Sequence, residues 1–293
     1  MHSKRKIWVG VGAFVVAGTG ALDAGAISVE RHVTRDQHAA SAFATDTAIL
    51  RAPAGGFLLA QHEDHPKDGE GGESKGIEKL PPELAFAVRI ALLRGHLLVG
   101  DQLVKQGQWN AALPHFLHPA EELYGDLKAE LAGYKVPPFE DALKALSDTV
   151  KRKKGGADYA GALKAVDDAL ALADAGMRQK QTDNWAGFVT EAAIESIKTA
   201  GGEYENAIVD GKLAKPVEYQ DARGFILHAD RMVEGVAAAL QTKNAAALKE
   251  LRAGLAELKR IFPTAMPPKA PIKDHAAMLA IVARIELAAA KLM

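Results

Sequence analysis

Residues 81–107, PPELAFAVRIALLRGHLLVGDQLVKQG, decide the fold class. Leu84, Val88, Leu92, Val99 and Leu103 recur at spacings near 3.6 residues, the period of one helix face. The paired prolines and Glu83 mark a helix start, and Gly107 marks its stop. The same punctuation recurs to the end of the chain. Pro119 opens a helix over about 119–133, with Glu121 and Glu122 favourable beside its positive end. Pro137 and Pro138 open another to about Lys153, followed by Gly155 and Gly156. Further helices are predicted over 159–175, 185–200, 203–210, 216–241, 245–261 (capped by Asn244) and 272–292, with Gly201 and Gly202 read as a break. Strand alternation and Asn-Gly hairpin signals are missing. The expectation is an all-α protein of antiparallel helix bundles, with eight or nine helices. The weak segment at Gly176–Gln181 suggests two four-helix halves, 81–176 and 177–293.

Composition fits a folded, exported chain. Of the 293 residues, 48% are hydrophobic and 25% charged, which is ordinary for a soluble protein. The 36 basic and 37 acidic residues leave a formal charge of −1, with no electrostatic footprint for nucleic acid. Residues 1–26 read as a signal peptide. A basic run, His2 to Lys6, precedes an apolar stretch from Ile7 to Leu22, and Ala24-Gly25-Ala26 has the small-x-small form of a cleavage site. The apolar stretch is shorter than the roughly 20 residues a spanning helix needs, so the expected location is the periplasm, and a retained N-terminal anchor is the alternative. The processed chain is not expected to be an integral membrane protein. There is no cysteine, which excludes disulfides and lipoprotein attachment and leaves stability to packing. Residues 27–80 read as a flexible arm, Gly-rich and charged from Asp64 to Gly76, with Gly55–Leu59 as a short docking segment.

The chemistry concentrates at His115–Tyr124, HFLHPAEELY. His115 and His118 stand three apart, Glu121 and Glu122 follow, and His96 lies on the apolar face of the preceding helix. Imidazoles and carboxylates in company are metal ligands. Pro119 is expected to push His118 out of the helical region and make a tight corner, with His118 at the cap of the next helix. The competing reading is an ordinary helix–corner–helix with a neutral core histidine at 96. A weaker set is Glu218 and His228, the latter on a stripe with Phe225 and Met232 and with Asp221 before it. A histidine beside core methionine is the plain reading there. His62-Glu63-Asp64-His65 could hold a divalent cation weakly, although solvated linker is the preferred reading. No HExxH, GxSxG, GxGxxG, Walker loop, CxxCH or cysteine nucleophile is present, so nothing proposes a nucleophile with its base, and an enzyme is not excluded.

Two stretches carry a family resemblance: GHLLVGDQLVKQGQWNAALPHFLHPAEELY (95–124) and EYENAIVDGKLAKPVEYQDARGFILHA (203–229). The AIVDG turn followed by the EYQDARGF helix resembles the periplasmic helical extension of some bacterial high-affinity iron permeases. The first stretch is similar to imelysin-like iron-uptake proteins with a GxHxxE motif. Gly95 and His96 are present here, but Val99 stands where that Glu would be. No REGLE-like transport signature accompanies them. The resemblance implies a soluble relative that binds or delivers a transition metal, iron or copper, beside a membrane permease or another envelope protein. The competing function is a metal-free interaction or scaffold module in the envelope. A peptidase of the imelysin type is the weakest reading, because its motif is incomplete.

Overall fold

The computed structural model describes residues 74–293, all within one compact unit that spans His62–Met293. The signal peptide, the Gly55–Leu59 segment, the His62–His65 cluster and most of the arm lie outside the described residues. The fold is all-α, as expected. Ten α-helical segments are described: α1 (Ser74–Ile77), α2 (Pro82–Lys105), α3 (Trp109–Ala112), α4 (Pro114–His118), α5 (Tyr124–Glu130), α6 (Glu140–Lys151), α7 (Gly156–Lys180), α8 (Trp185–Ala207), α9 (Pro216–Ile261) and α10 (His275–Ala289).

Helix α2 is the axis of the molecule. Leu84 to Val104 are buried on almost every face, as expected of a helix surrounded by others. It packs against α8 and α9, with α3 and α4 along its other side. Gly107 ends it at φ 73°. Gln108 N–H bonds to the Leu103 carbonyl and Gly107 N–H to the Val104 carbonyl, the paired bonds of a glycine-closed helix end. Helices α8, α9 and α10 pack on one another. α9 bends at Asn244 (φ −159°, ψ 94°), whose Oδ1 accepts the Ala247 N–H at 3.0 Å, so it acts as two rods with an internal cap.

Three local readings are corrected. The chain does not leave the helical region at Pro119: His118 lies at φ −52°, ψ −42° and Pro119 at φ −55°, ψ −35°. A π-turn over Pro119–Leu123, closed by Tyr124 N–H to the Pro119 carbonyl, widens the helix where a proline ring would otherwise press on the preceding turn. Gly201 and Gly202 do not break a helix, for α8 runs through them to Ala207. The separate helix expected over 203–210 is instead the last turns of α8, with a short hairpin following from Ile208. Ile208–Val209 pairs antiparallel with Lys212–Leu213 across Asp210 and Gly211, both at positive φ (51° and 73°), the two-residue turn that matches strand twist.

Gly176, read as a weak point, lies inside α7. A Cβ there would fall against the backbone carbonyl of Tyr134, so the glycine permits a close helix approach. At the other boundary, Ile77 on α1 is buried in the core ahead of Pro81.

Candidate metal centre

The site begins with a helix crossing. A Cβ on Gly95 would lie 2.5 Å from Phe225 Cδ1, and one on Gly224 would fall against the Gly95 carbonyl. Two glycines therefore let α2 and α9 touch backbone to backbone. Gly100 does the same for α4, since a Cβ there would lie 2.7 Å from Phe116 Cε2 and 3.2 Å from His115 Cβ. These approaches bring the neighbours of the glycines together: His96 from α2, His115 from α4 and Asp221 from α9.

Asp221 is the hub. Its Oδ1 lies 2.7 Å from His96 Nδ1 and accepts from His115 Nδ1 at 2.8 Å. His115 Nε2 lies 2.8 Å from Gln220 Oε1, and Gln220 Nε2 lies 3.6 Å from Met266 Sδ. His118 Nδ1 stands 3.9 Å from Asp221 Oδ2 and 3.7 Å from Glu122 Oε1. The His96 ring sits edge-on to Phe225, centroids 5.0 Å apart. His96 and His115 are fully buried, and the Asp221 side chain is 4% exposed. Burial alone would push the Asp221 carboxyl up. The positive charges and hydrogen bonds that His96 and His115 present overcome this and hold it well below the usual aspartate range.

The sequence-derived candidates divide cleanly. His96 and His115 meet at one point, and His118 and Glu122 stand beside it. Glu121 is exposed, because successive helix residues point about 100° apart and only one of the pair can face inward. Glu218 is half-buried near Lys215 Nζ, at 3.8 Å. His228 lies two turns further along α9, roughly 10 Å away by helix rise, and makes no part of the cluster. Asp221 and Gln220 supply the missing pieces. Reading by sequence noticed Asp221 only as a neighbour of His228, yet it stands three residues before Gly224 and on the same face.

One ligand atom each from His96, His115 and Asp221 can be chosen so that all lie within 4.8 Å of one another. Two imidazoles and one carboxylate form a donor set suited to iron(II) and shared by zinc, copper and nickel. Ligands about 2.1 Å from one ion stand roughly 3.0–3.4 Å apart. The observed 2.7 and 2.8 Å are a few tenths of an ångström shorter. The side chains are thus closed on one another by hydrogen bonds. A metal would displace protons and spread the cluster slightly.

Residues 179–293 match the family model of the iron permease-associated 4-helix bundle domain. The resemblance to the helical extension of iron permeases therefore holds over this part of the chain. It corresponds to α8, the two rods of α9, and α10. Comparison with curated proteins and with solved structures finds no match. Asp221 lies inside the matched bundle, whereas His96, His115, His118 and Glu122 come from the segment before it. No described helix is long and apolar enough to cross a membrane.

Proposed function

We propose that this is an exported helical protein that binds a transition metal, iron in preference to copper, and hands it on in uptake beside a membrane permease. His96, His115 and Asp221 are the ligands in this reading, with His118 and Glu122 closing the shell. The observation that carries it is the convergence of two imidazoles and a carboxylate, from three separate helices, at one buried point. The match to an iron permease-associated bundle supports iron as the cargo and a permease as the partner.

The test is metal analysis of protein purified without an affinity tag, with thermal melting in the presence of iron(II) or copper(II) alone. Bound metal should raise the melting temperature, and His96→Ala with His115→Ala should abolish the rise while helix content persists. Affinity should fall below about pH 6, where protons compete for imidazole nitrogens. Export is tested by N-terminal sequencing of envelope-fraction protein, expected to begin near Ile27.

A second reading, a metal-free interaction module, is favoured by one feature. Both ring nitrogens of His115 are already engaged, by Asp221 and Gln220, so the cluster is complete as a hydrogen-bonded clamp. Unchanged melting with every metal offered would select this reading.

A further inference from the structure

A separate cleft opens further along α9, between α2, α7, α8 and α9. It has two chambers. The first, about 470 Å³, is walled by apolar side chains that include Ile90, Phe188, Val189 and Met232, with Trp185 at one side. The second, about 450 Å³, is polar and contains Asp101, Gln102 and Asp167. Arg94, His228 and Arg231 line both, so they form the partition. Each chamber falls in the size range of small-molecule sites, roughly 300–1,000 Å³.

Charge distinguishes the apolar chamber from a simple packing defect. Three guanidiniums, Arg94, Arg178 and Arg231, line it against a single carboxylate, Asp174. Asp174 is already held by Arg94 at 2.6 Å. Arg178 lies over the Trp185 ring, 4.8 Å from its centroid, and among the described residues neither it nor Arg231 forms an ion pair. His228 adds a polar group with no hydrogen bond among the described residues. Burial, then Arg94 and Arg231, push its imidazole down to about 3, so the ring stands neutral with its nitrogens available. The Trp185 indole nitrogen is also buried without an acceptor. An apolar wall, surplus positive charge and unengaged polar groups are together complementary to one ligand class.

We propose that this cleft binds a small organic anion with an apolar body. The acid group lies in the apolar chamber, where Arg178 and Arg231 both line the wall, and the body lies against Ile90, Trp185, Phe188 and Met232.

The test uses two dyes of the same shape and different charge: 8-anilinonaphthalene-1-sulfonate and uncharged N-phenyl-1-naphthylamine. Both are titrated by fluorescence into the full chain. The sulfonate should bind at one site per chain and about tenfold more tightly than the neutral dye. Arg178→Gln and Arg231→Gln should each weaken the sulfonate about threefold, the scale of a partly solvated charge contact, and leave the neutral dye unchanged. Both side chains are exposed, so the variants keep the fold, with circular dichroism as the check. Ala175→Trp, from an exposed position on the rim, should block both dyes. Equal binding of the two dyes by the parent overturns the proposal. So does sulfonate affinity indifferent to both arginine variants, or to Ala175→Trp.

Discussion

Helix α9 meets histidines at two levels and treats them oppositely. At the first, Asp221 presents a buried carboxylate to His96 and His115, and both rings close on it within 2.8 Å. Two turns later burial first, and then the charges of Arg94 and Arg231, push the His228 imidazole down to about 3. Desolvation opposes the charged form at both levels, so it does not reverse the outcome between them. The sign of the neighbouring charge does. A carboxylate makes histidines proton or metal carriers, and guanidiniums leave a histidine neutral and open to a ligand.

The sharpest way to break this contrast is to remove the hub. Asp221→Ala removes the carboxylate on which both buried imidazoles close. It should cost about 3 kcal/mol or more in urea unfolding, as expected when one partner of a buried charged pair is lost. His228→Leu, at the other level, should cost under about 1.5 kcal/mol, because its ring has no hydrogen bond to lose. Similar losses at both levels would mean that burial, not charge, governs them. The pH profile carries the same information. The Asp221 carboxyl is held below its unfolded value, so its contribution is complete above the ordinary aspartate pKa of about 3.9 and is lost as the pH falls through the lower folded value.

Next in size is the crossing that assembles the first level. Gly224→Ala drives a methyl group into the Gly95 carbonyl and should cost about 2 kcal/mol, typical of overpacking against backbone. It should also remove metal-dependent stabilisation, since His96 and Asp221 sit on the two helices it separates. A variant with lowered stability but intact metal response would show that the cluster tolerates the displacement.

That crossing also explains what could be read in the chain. The α2 face, the Gly107 stop and the Asn244 cap are local, and apolar spacing with capping chemistry identified them. Pro119 and Gly201-Gly202 read as breaks, and Gly176 as the start of the weakest segment, because their local propensities oppose helix. Tertiary packing overrides them: the widened turn absorbs Pro119, and the Tyr134 carbonyl sits where a Gly176 side chain would be. The two-residue strands of the hairpin are too short to show alternation, although Asp210-Gly211 carried its signal. Of the candidate site, the histidines were legible as a group and Asp221 was not. His115 and Asp221 are 106 residues apart, and their helices meet because both close on α2, α9 at Gly95–Gly224 and α4 at Gly100.

A smaller effect sharpens the second level. His228 has a folded pKa of about 3 against about 6.5 unfolded. Below pH 6.5 the unfolded chain takes up the proton and the folded one does not, so this group makes stability fall as the pH drops from about 6.5 towards 3. His228→Leu removes that contribution. Urea midpoints between pH 7 and pH 4 should therefore fall less steeply in the variant than in the parent. Parallel curves would mean that folding does not lower the His228 pKa and that the ring takes up its proton in the folded state.

The smallest expected effect separates two adjacent carboxylates. Glu121 is exposed, while Glu122 lies 15% exposed with its Oε1 3.7 Å from His118 Nδ1. Glu122 follows His118 by one turn on the inner side, while Glu121, one residue earlier, points about 100° away. Glu121→Gln should change stability by less than about 0.5 kcal/mol and leave the metal response intact, as for an ordinary surface substitution. Glu122→Gln keeps the shape and removes the charge. It should weaken iron(II)-dependent stabilisation by a measurable fraction while the metal-free melting temperature moves little. If the two substitutions have equal effects, Glu122 is not part of the metal shell, and the cluster reduces to His96, His115 and Asp221.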